Sequence, residues 1–162
     1  MYRKILLAYD GSTEGRRALR EGAALALRCD AEVFLLAVID NSIAVGADGA
    51  YAQVIGEEKE AYQAVLNEGV QRLRALGFSP QSRLGWGRPG EVIVAVVREI
   101  GADLVVAGHR HKGLLAQWWS DSIGIYLIKH IGCSVLIGQT EFDDAQFAKI
   151  TEAYRKAPAD PS

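Results

Sequence analysis

Four short apolar runs and one weaker candidate strand alternate with segments of helical periodicity, and this alternation constrains the fold more than any other feature. The strands are predicted at residues 5–9, 32–39, 79–85, 103–107 and 133–137. The first run has no polar alternation, which is typical of a central parallel strand that is covered on both faces. Regular alternation with short connections implies right-handed crossovers, so the sequence predicts a doubly wound α/β fold. The weak third strand is expected at an edge.

The intervening segments predict four helices, and a fifth, short amphipathic helix follows Gln139. The four are placed at residues 13–28, 57–76, 89–100 and 122–130. Gly77 and Gly101 follow the second and third helices, where glycine commonly forms the C-cap. Residues 43–56 hold three glycines and little periodicity, so they are interpreted as a mobile loop. The residues expected to face the core are Leu19, Ala23, Ala26, Tyr62, Leu66, Gly69, Leu73, Leu76, Ile93, Val96, Val97, Ile100, Ile123, Leu127, Ile131, Phe142, Phe147 and Ile150.

The composition predicts one soluble globular domain with an appendage. The 162 residues are 49% hydrophobic and 23% charged, and the net charge of −2 gives no overall field that would recruit nucleic acid. No apolar run approaches the ~20 residues needed to cross a bilayer, and the N-terminus lacks a signal-peptide pattern. Cys29 and Cys133 lack metal-ligand spacing and are interpreted as buried free thiols. The cytoplasm is therefore the expected compartment.

The carboxyl ends of three predicted strands carry the residues of a candidate binding crevice. Asp10, Val38 and Gly108 each lie at such an end, and doubly wound sheets bind ligands beyond these ends, where the strand order switches. A basic loop at residues 109–112 follows Gly108, and a polar turn at residues 120–122 can start a helix. Backbone N–H groups and the helix dipole favour a phosphate there. The stretch predicts the phosphate end of a nucleotide site; the simpler reading is a strand, a loop and a helix.

Several segments, in the order in which they occur, match one known family. They are residues 5–12 (ILLAYDGS), Gly87-Arg88-Pro89 with Glu91, residues 102–108 (ADLVVAG), residues 127–130 (LIKH) and residues 133–137 (CSVLI). On these motifs the chain resembles the universal stress protein family over residues 2–138. The resemblance implies a family domain at residues 1–138 and a C-terminal helical extension with a frayed end at residues 139–162. It also implies a five-stranded parallel sheet in the order 3-2-1-4-5, with helices on both faces.

The resemblance implies a nucleotide ligand, because many members of that family bind ATP or AMP through the motif Gly-x2-Gly-x9-Gly-Ser/Thr. Here Gly108 fills the first position and Ser122 the last, whereas His111 and Asp121 replace the other two glycines. Related proteins that lack the glycines are associated with loss of nucleotide binding. If both positions need a left-handed backbone, each replacement costs roughly 1–2 kcal/mol.

Cations in the same loop oppose that loss. Arg110 and Lys112, with His109 or His111 when protonated, bring positive charge to the expected phosphate position. The histidines also suggest a pH-sensitive anion site. They have no nearby acidic or thiol partner in sequence, so no metal site is assigned, and Mg²⁺ is expected only with a bound ATP.

By match to the family, Asp10 would contact the ribose, and Ala8 and Val38 would line the adenine pocket. Each position also has a structural reading. Asp10 can be a helix-capping carboxylate, Val38 a core residue, Gly108 a requirement of the strand-to-loop turn and Ser122 an N-cap. Trp118 and Trp119 are interpreted as core or dimer contacts more than as base-stacking residues. The complete candidate nucleotide set is Ala8, Asp10, Val38, Gly108, Arg110, His111, Asp121 and Ser122.

No sequence motif supports enzyme chemistry. The chain lacks a P-loop, a Gly-x-Ser-x-Gly elbow and a Gly-x-Gly-x-x-Gly fingerprint, so no catalytic residue is assigned, although slow ATP hydrolysis stays open. The sequence predicts a non-catalytic stress-response protein that binds ATP or AMP. The alternative is a nucleotide-free, dimeric interaction module. In both cases the resemblance implies a homodimer through the last strand, between Cys133 and Gly138, because an apolar edge strand must be paired or covered.

Overall fold

A computed structural model of the chain describes residues 1–40, 51–108, 121–141 and 143–156. This part of the chain forms one five-stranded parallel sheet with helices on both faces. In chain order the elements are β1 (Lys4–Ala8), α1 (Thr13–Cys29), β2 (Glu32–Ile39), α2 (Tyr51–Ala75), β3 (Gln81–Trp86), α3 (Pro89–Ile100), β4 (Leu104–Gly108), α4 (Asp121–His130), β5 (Ser134–Gly138) and α5 (Asp144–Lys156).

The strand order is β3-β2-β1-β4-β5, which confirms the predicted order and the edge position of β3. β1 is the central strand: Ala8 pairs with Leu36 of β2 on one side and with Ala107 of β4 on the other. Its side chains alternate between two cores because successive residues of a strand point to opposite faces. Ile5 and Leu7 pack with α1, α2 and α5, while the residues between and after them pack with α3 and α4.

The helix ends follow from local chemistry. Ser12 caps α1 by accepting a hydrogen bond from the Gly15 amide at 2.9 Å, and Asp30 ends the helix in the left-handed conformation at φ 51°. Gly101 caps α3 at φ 67°, and Gly77 follows α2 at φ 92°, so both predicted glycine caps are confirmed.

The start of α2 contradicts the predicted loop. The helix begins at Tyr51 rather than near residue 57, so residues 51–56 are helical. Gly56 therefore lies inside a helix of 25 residues. A single interior glycine costs only about 1 kcal/mol relative to alanine, too little to end a helix whose later turns pack on the sheet. The remainder of the predicted loop, residues 43–50, lies outside the described residues.

The predicted core faces are largely confirmed. Leu19, Leu73, Ile93, Leu127 and Phe147 are all buried, so one residue from each helix anchors it to the sheet. Ile123 and Phe142 lie where side chains are not described. The prediction of buried thiols was wrong in degree: Cys29 and Cys133 are both free but only partly buried. Partial burial raises the pKa of the Cys133 thiol.

Candidate functional site

The candidate crevice lies where the connections diverge at the carboxyl edge of the sheet. After β1 the chain passes through α1 to β2 on one side, whereas α3 leads to β4 on the other side of β1. This divergence is the switch point at which open α/β sheets bind ligands. The register places Ala8 level with Leu36 and Ala107. Asp10, Val38 and Gly108 therefore reach the same edge of the sheet.

Asp10 is buried at the junction of β1 and α1, with 9% of its surface exposed. Its Oδ1 accepts hydrogen bonds from the Ser12 backbone N–H at 2.9 Å and from Ser12 Oγ at 2.6 Å. Because Ser12 in turn caps α1, the carboxylate is fixed beside the N-terminus of that helix, where a negative charge is favourable. Asp10 thus supports the cap through Ser12 and does not itself provide it.

The absence of a side chain at Gly15 leaves space for the Asp10 carboxylate, a role that the sequence analysis did not predict. A Cβ at Gly15 would lie 2.4 Å from Asp10 Oδ1. Gly11, at φ +73°, turns the chain between the strand and the helix. The sequence did contain a signal for this role: Gly15 lies in the first turn of a predicted helix, five residues after Asp10 at the strand end.

Gly108 is required by close packing. A Cβ there would lie 2.6 Å from the carbonyl carbon and oxygen of Glu14, in the first turn of α1. The positive-φ glycines of the described chain do not include Gly108, so its need for glycine comes from the approach of α1 and not from a turn. Gly138 has the same function one strand further on, since its Cβ would lie 2.6 Å from the Cα of Ala18. Helix α1 therefore lies directly over the ends of β4 and β5.

Ala8 and Val38 come together in the core beneath α3 and α4. They are 6% and 0% exposed, respectively, and they pack in one cluster with Ile93 and Ala107. The prediction that Val38 packs in the core is confirmed. Lining an adenine pocket would require this part of the core to open.

The phosphate side of the site is described only at its ends. Arg110 and His111 lie outside the described residues, as do His109, Lys112 and the two adjacent tryptophans. α4 begins at Asp121. Ser122 therefore lies inside the first turn of the helix, so its interpretation as the N-cap was wrong.

A charged network lies behind the crevice on the other face of the sheet. The Tyr9 hydroxyl donates a hydrogen bond to Glu68, whose carboxylate also binds Arg16 at 3.1 Å and Arg72 at 2.5 Å. Burial, followed by the hydrogen bond and charge of Glu68, raises the pKa of Tyr9 to about 12. Burial also raises the pKa of Glu68, but the hydrogen bonds and charges of its partners outweigh this effect and lower the pKa overall. The sequence signal for this network was Tyr9 at the end of an aliphatic strand, because a buried phenol hydroxyl needs a hydrogen-bond partner.

Within the described ranges, no three His, Cys, Asp or Glu side chains are grouped so that they could hold a metal ion. None of the helices described combines the length and apolar character needed to cross a membrane.

Comparison with known proteins identifies the family. The model of the universal stress protein family matches residues 1–138, and this chain therefore belongs to that family. A protein of Staphylococcus haemolyticus named as a universal stress protein is 28% identical over 160 residues, covering 96% of each chain.

Solved structures of the family share the fold. One universal stress protein, solved in complex with cAMP, is 21% identical with a TM-score of 0.62, covering 86% of this chain and 98% of the other. A family protein from Arabidopsis thaliana, solved with AMP bound, is 20% identical with a TM-score of 0.58, covering 88% of this chain and 94% of the other. At these identities the likeness establishes the fold.

Proposed function

We propose that this protein binds an adenine nucleotide, ATP or AMP, at the carboxyl edge of the sheet and acts in the cytoplasm as a non-catalytic sensor. The observation that carries the proposal is that Asp10 and Gly108 both lie against Gly15, in the first turn of α1, at the switch point of the sheet. The carboxylate is held by Ser12 at the start of α1. Membership of a family with structures holding cAMP and AMP supports the same assignment.

Each part of the nucleotide has a proposed partner. Asp10 would accept hydrogen bonds from the ribose hydroxyls, and Ala8 with Val38 would form the apolar wall for adenine after a local opening of the core. The phosphates would lie between Gly108 and the N-terminus of α4, formed by Asp121 and Ser122, where backbone N–H groups favour anions. Arg110 and His111 would add positive charge. Mg²⁺ would enter with ATP, bound to its phosphate oxygens.

The described residues support binding more than catalysis. The Ser12 hydroxyl donates to Asp10 and accepts from the Gly15 amide, so its geometry is that of a helix cap. We therefore assign a conformational role, in which the bound nucleotide stabilises one arrangement of the crevice.

A nucleotide-free interaction module is the second candidate, and the complete burial of Val38 favours it. Its surface would be a homodimer contact, which we also propose for the nucleotide-binding form. β5 is an edge strand of the sheet, and Ile125 and Ile128 of the adjacent α4 are 52% and 77% exposed. A second copy pairing with β5 would protect the strand edge and cover these isoleucines.

Isothermal titration calorimetry with ATP and with AMP tests the nucleotide proposal. We expect saturable binding and a loss of about tenfold in affinity for Asp10→Asn, because the substitution removes a charged acceptor for the ribose hydroxyls. Glu32→Gln is the matched control, since Glu32 is exposed at the amino end of β2, at the opposite edge of the sheet. The absence of heat with either nucleotide at millimolar concentration would leave the interaction module as the function.

A further inference from the structure

A second candidate site lies away from the crevice, on the outer surface of α1. It is an open cleft of about 540 Å³ between α1, α2 and the start of α5. Four arginines line it, Arg16, Arg17 and Arg20 of α1 and Arg72 of α2, together with the carboxylates of Glu141 and Asp143. We call this group of residues the arginine cleft. Its volume lies within the range of sites that bind small molecules, about 300–1,000 Å³.

The helix period places the three α1 arginines together. Residues separated by three and four positions share one face, and Arg20 follows Arg17 and Arg16 at these two spacings. The opposite face is taken up by Gly15, Ala18, Leu19 and Gly22, which are buried against the sheet. Like charges at such spacings repel one another. Acidic partners from other elements offset part of this repulsion, and an anionic ligand would offset it further.

Neighbouring groups hold the guanidinium groups in place. Arg16 and Arg72 share a single carboxylate oxygen, Oε1 of Glu68. Arg17 pairs with Glu141, and the guanidinium of Arg20 lies over the Phe147 ring, 5.5 Å from its centroid. The side chains of Arg16, Arg17 and Arg72 are nevertheless 41–47% exposed, so a ligand has access to them.

The far wall of the cleft comes from the chain beyond residue 138, where the match to the family model ends. Thr140 anchors this segment through two hydrogen bonds of 3.1 Å to the Glu21 carboxylate. Asp143 and Gln146 then form a reciprocal cap at 3.1 and 2.6 Å, and Phe147 is buried in the core. The C-terminal extension is thus fixed against α1, and it completes a cleft that the family domain alone does not form.

We propose that the arginine cleft binds a compact polyanion of linked phosphate groups, at a site separate from the nucleotide crevice. Guanidinium groups offer paired N–H donors that match phosphate oxygens, and a chain of phosphates can bridge several of them. Four arginines line the cleft with two carboxylates, and the Glu68 carboxylate pairs with two of these arginines, so a phosphate ligand would share them with the existing partners. Glu141 forms an ion pair with Arg17, so a phosphate group that binds Arg17 displaces the Glu141 carboxylate.

Calorimetric titration of the full chain with sodium tripolyphosphate tests this proposal. Arg17→Gln and Arg20→Gln are each expected to weaken binding about tenfold, because each removes one charge-assisted contact. Glu141→Gln is expected to tighten binding, because it releases Arg17 from its partner. A purely structural cluster would not give this opposite sign.

Two substitutions serve as matched controls. Arg28→Gln removes an exposed arginine from the last turn of the same helix, outside the cleft. Glu99→Gln releases an arginine elsewhere, because Glu99 of α3 pairs with Arg83 on the other face of the sheet. Both are expected to leave tripolyphosphate affinity within about twofold of the wild type, as is typical of distant exposed charges. Thermal unfolding confirms that each variant is folded.

Three outcomes would overturn the proposal: no binding of tripolyphosphate, equal weakening by Arg28→Gln and by the cleft variants, or loss of binding on Asp10→Asn. Titration of the same variants with AMP separates this site from the crevice. Unchanged AMP binding with weakened tripolyphosphate binding supports two sites. A wild-type chain that binds tripolyphosphate but not AMP would refute the crevice and leave the cleft proposal intact.

Discussion

Tyr9 and Glu68 are hydrogen-bonded across 59 positions of sequence, joining the end of the central strand to helix α2. Without Glu68, the Tyr9 hydroxyl would be a buried donor without an acceptor. The Glu68 carboxylate also forms ion pairs with Arg16 and Arg72. This network fixes the backbone at Tyr9 against α2. Asp10 is the next residue along the chain, so the network also helps to fix the position of Asp10. It also joins the crevice side of α1 to the arginine cleft.

Tyr9→Phe is expected to lower the free energy of unfolding by about 1.5–3 kcal/mol, the range for a hydrogen bond to a charged group. Urea denaturation at neutral pH measures this change. Tyr2→Phe is the matched control, because Tyr2 packs against the same core but lies outside the Tyr9–Glu68 network. Equal stability of the two variants would mean that the Tyr9 hydrogen bond contributes nothing net.

The raised pKa of Tyr9 predicts a loss of stability at alkaline pH. The unfolded chain ionises this phenol near its ordinary pKa of 10.0, whereas the folded chain retains the proton up to about pH 12. The stabilising contribution is therefore complete below pH 10 and is lost between these two values. Urea denaturation across this window should show a steeper fall for the wild type than for Tyr9→Phe. Parallel curves would contradict the shift.

Gly108→Ala is expected to destabilise the fold by about 1–3 kcal/mol, because the new methyl group meets the backbone of Glu14 and the first turn of α1 must move. Gly132→Ala provides the control, since a Cβ there meets nothing within 4 Å. That variant is expected to be neutral or stabilising by up to about 1 kcal/mol. Thermal unfolding distinguishes the two, and a neutral Gly108→Ala would refute the close packing of α1 on β4.

Ile128→Glu is expected to convert a homodimer to a monomer, because it places a charge in the exposed apolar surface of α4. Sedimentation velocity of the wild type and the variant measures the change. Ala64→Glu, on an exposed position of α2 in the opposite layer, should leave the assembly unaltered. A monomeric wild type would refute the dimer and remove support from the interaction module.

Local patterns predicted the fold well because the apolar runs and glycine caps depend on neighbouring residues. The order of the five strands and the caps at Gly77 and Gly101 follow from such patterns. The early start of α2 was missed because tertiary packing outweighs one glycine. The requirement for glycine at position 15 was missed for a different reason, since it depends on the position of Asp10 Oδ1 in space.

The candidate site was only partly predictable. The positions of Asp10 and Gly108 at the carboxyl edge follow from strand topology, whereas their contacts follow from how α1 lies over the sheet. The apolar run of β2 predicted Val38 as a core residue, and its burial beneath α3 confirms that reading. The arginine cleft was missed because its residues come from three elements separated along the chain.

Mapping of backbone amide NMR shifts during titration with AMP reports both whether the nucleotide binds and where it binds. We expect saturable shifts at Asp10, Gly11, Gly108 and Ser122, with the surroundings of Arg83 and Glu99 unchanged. No shifts at millimolar AMP, or shifts confined to the arginine cleft, would contradict nucleotide binding at the carboxyl edge of the sheet.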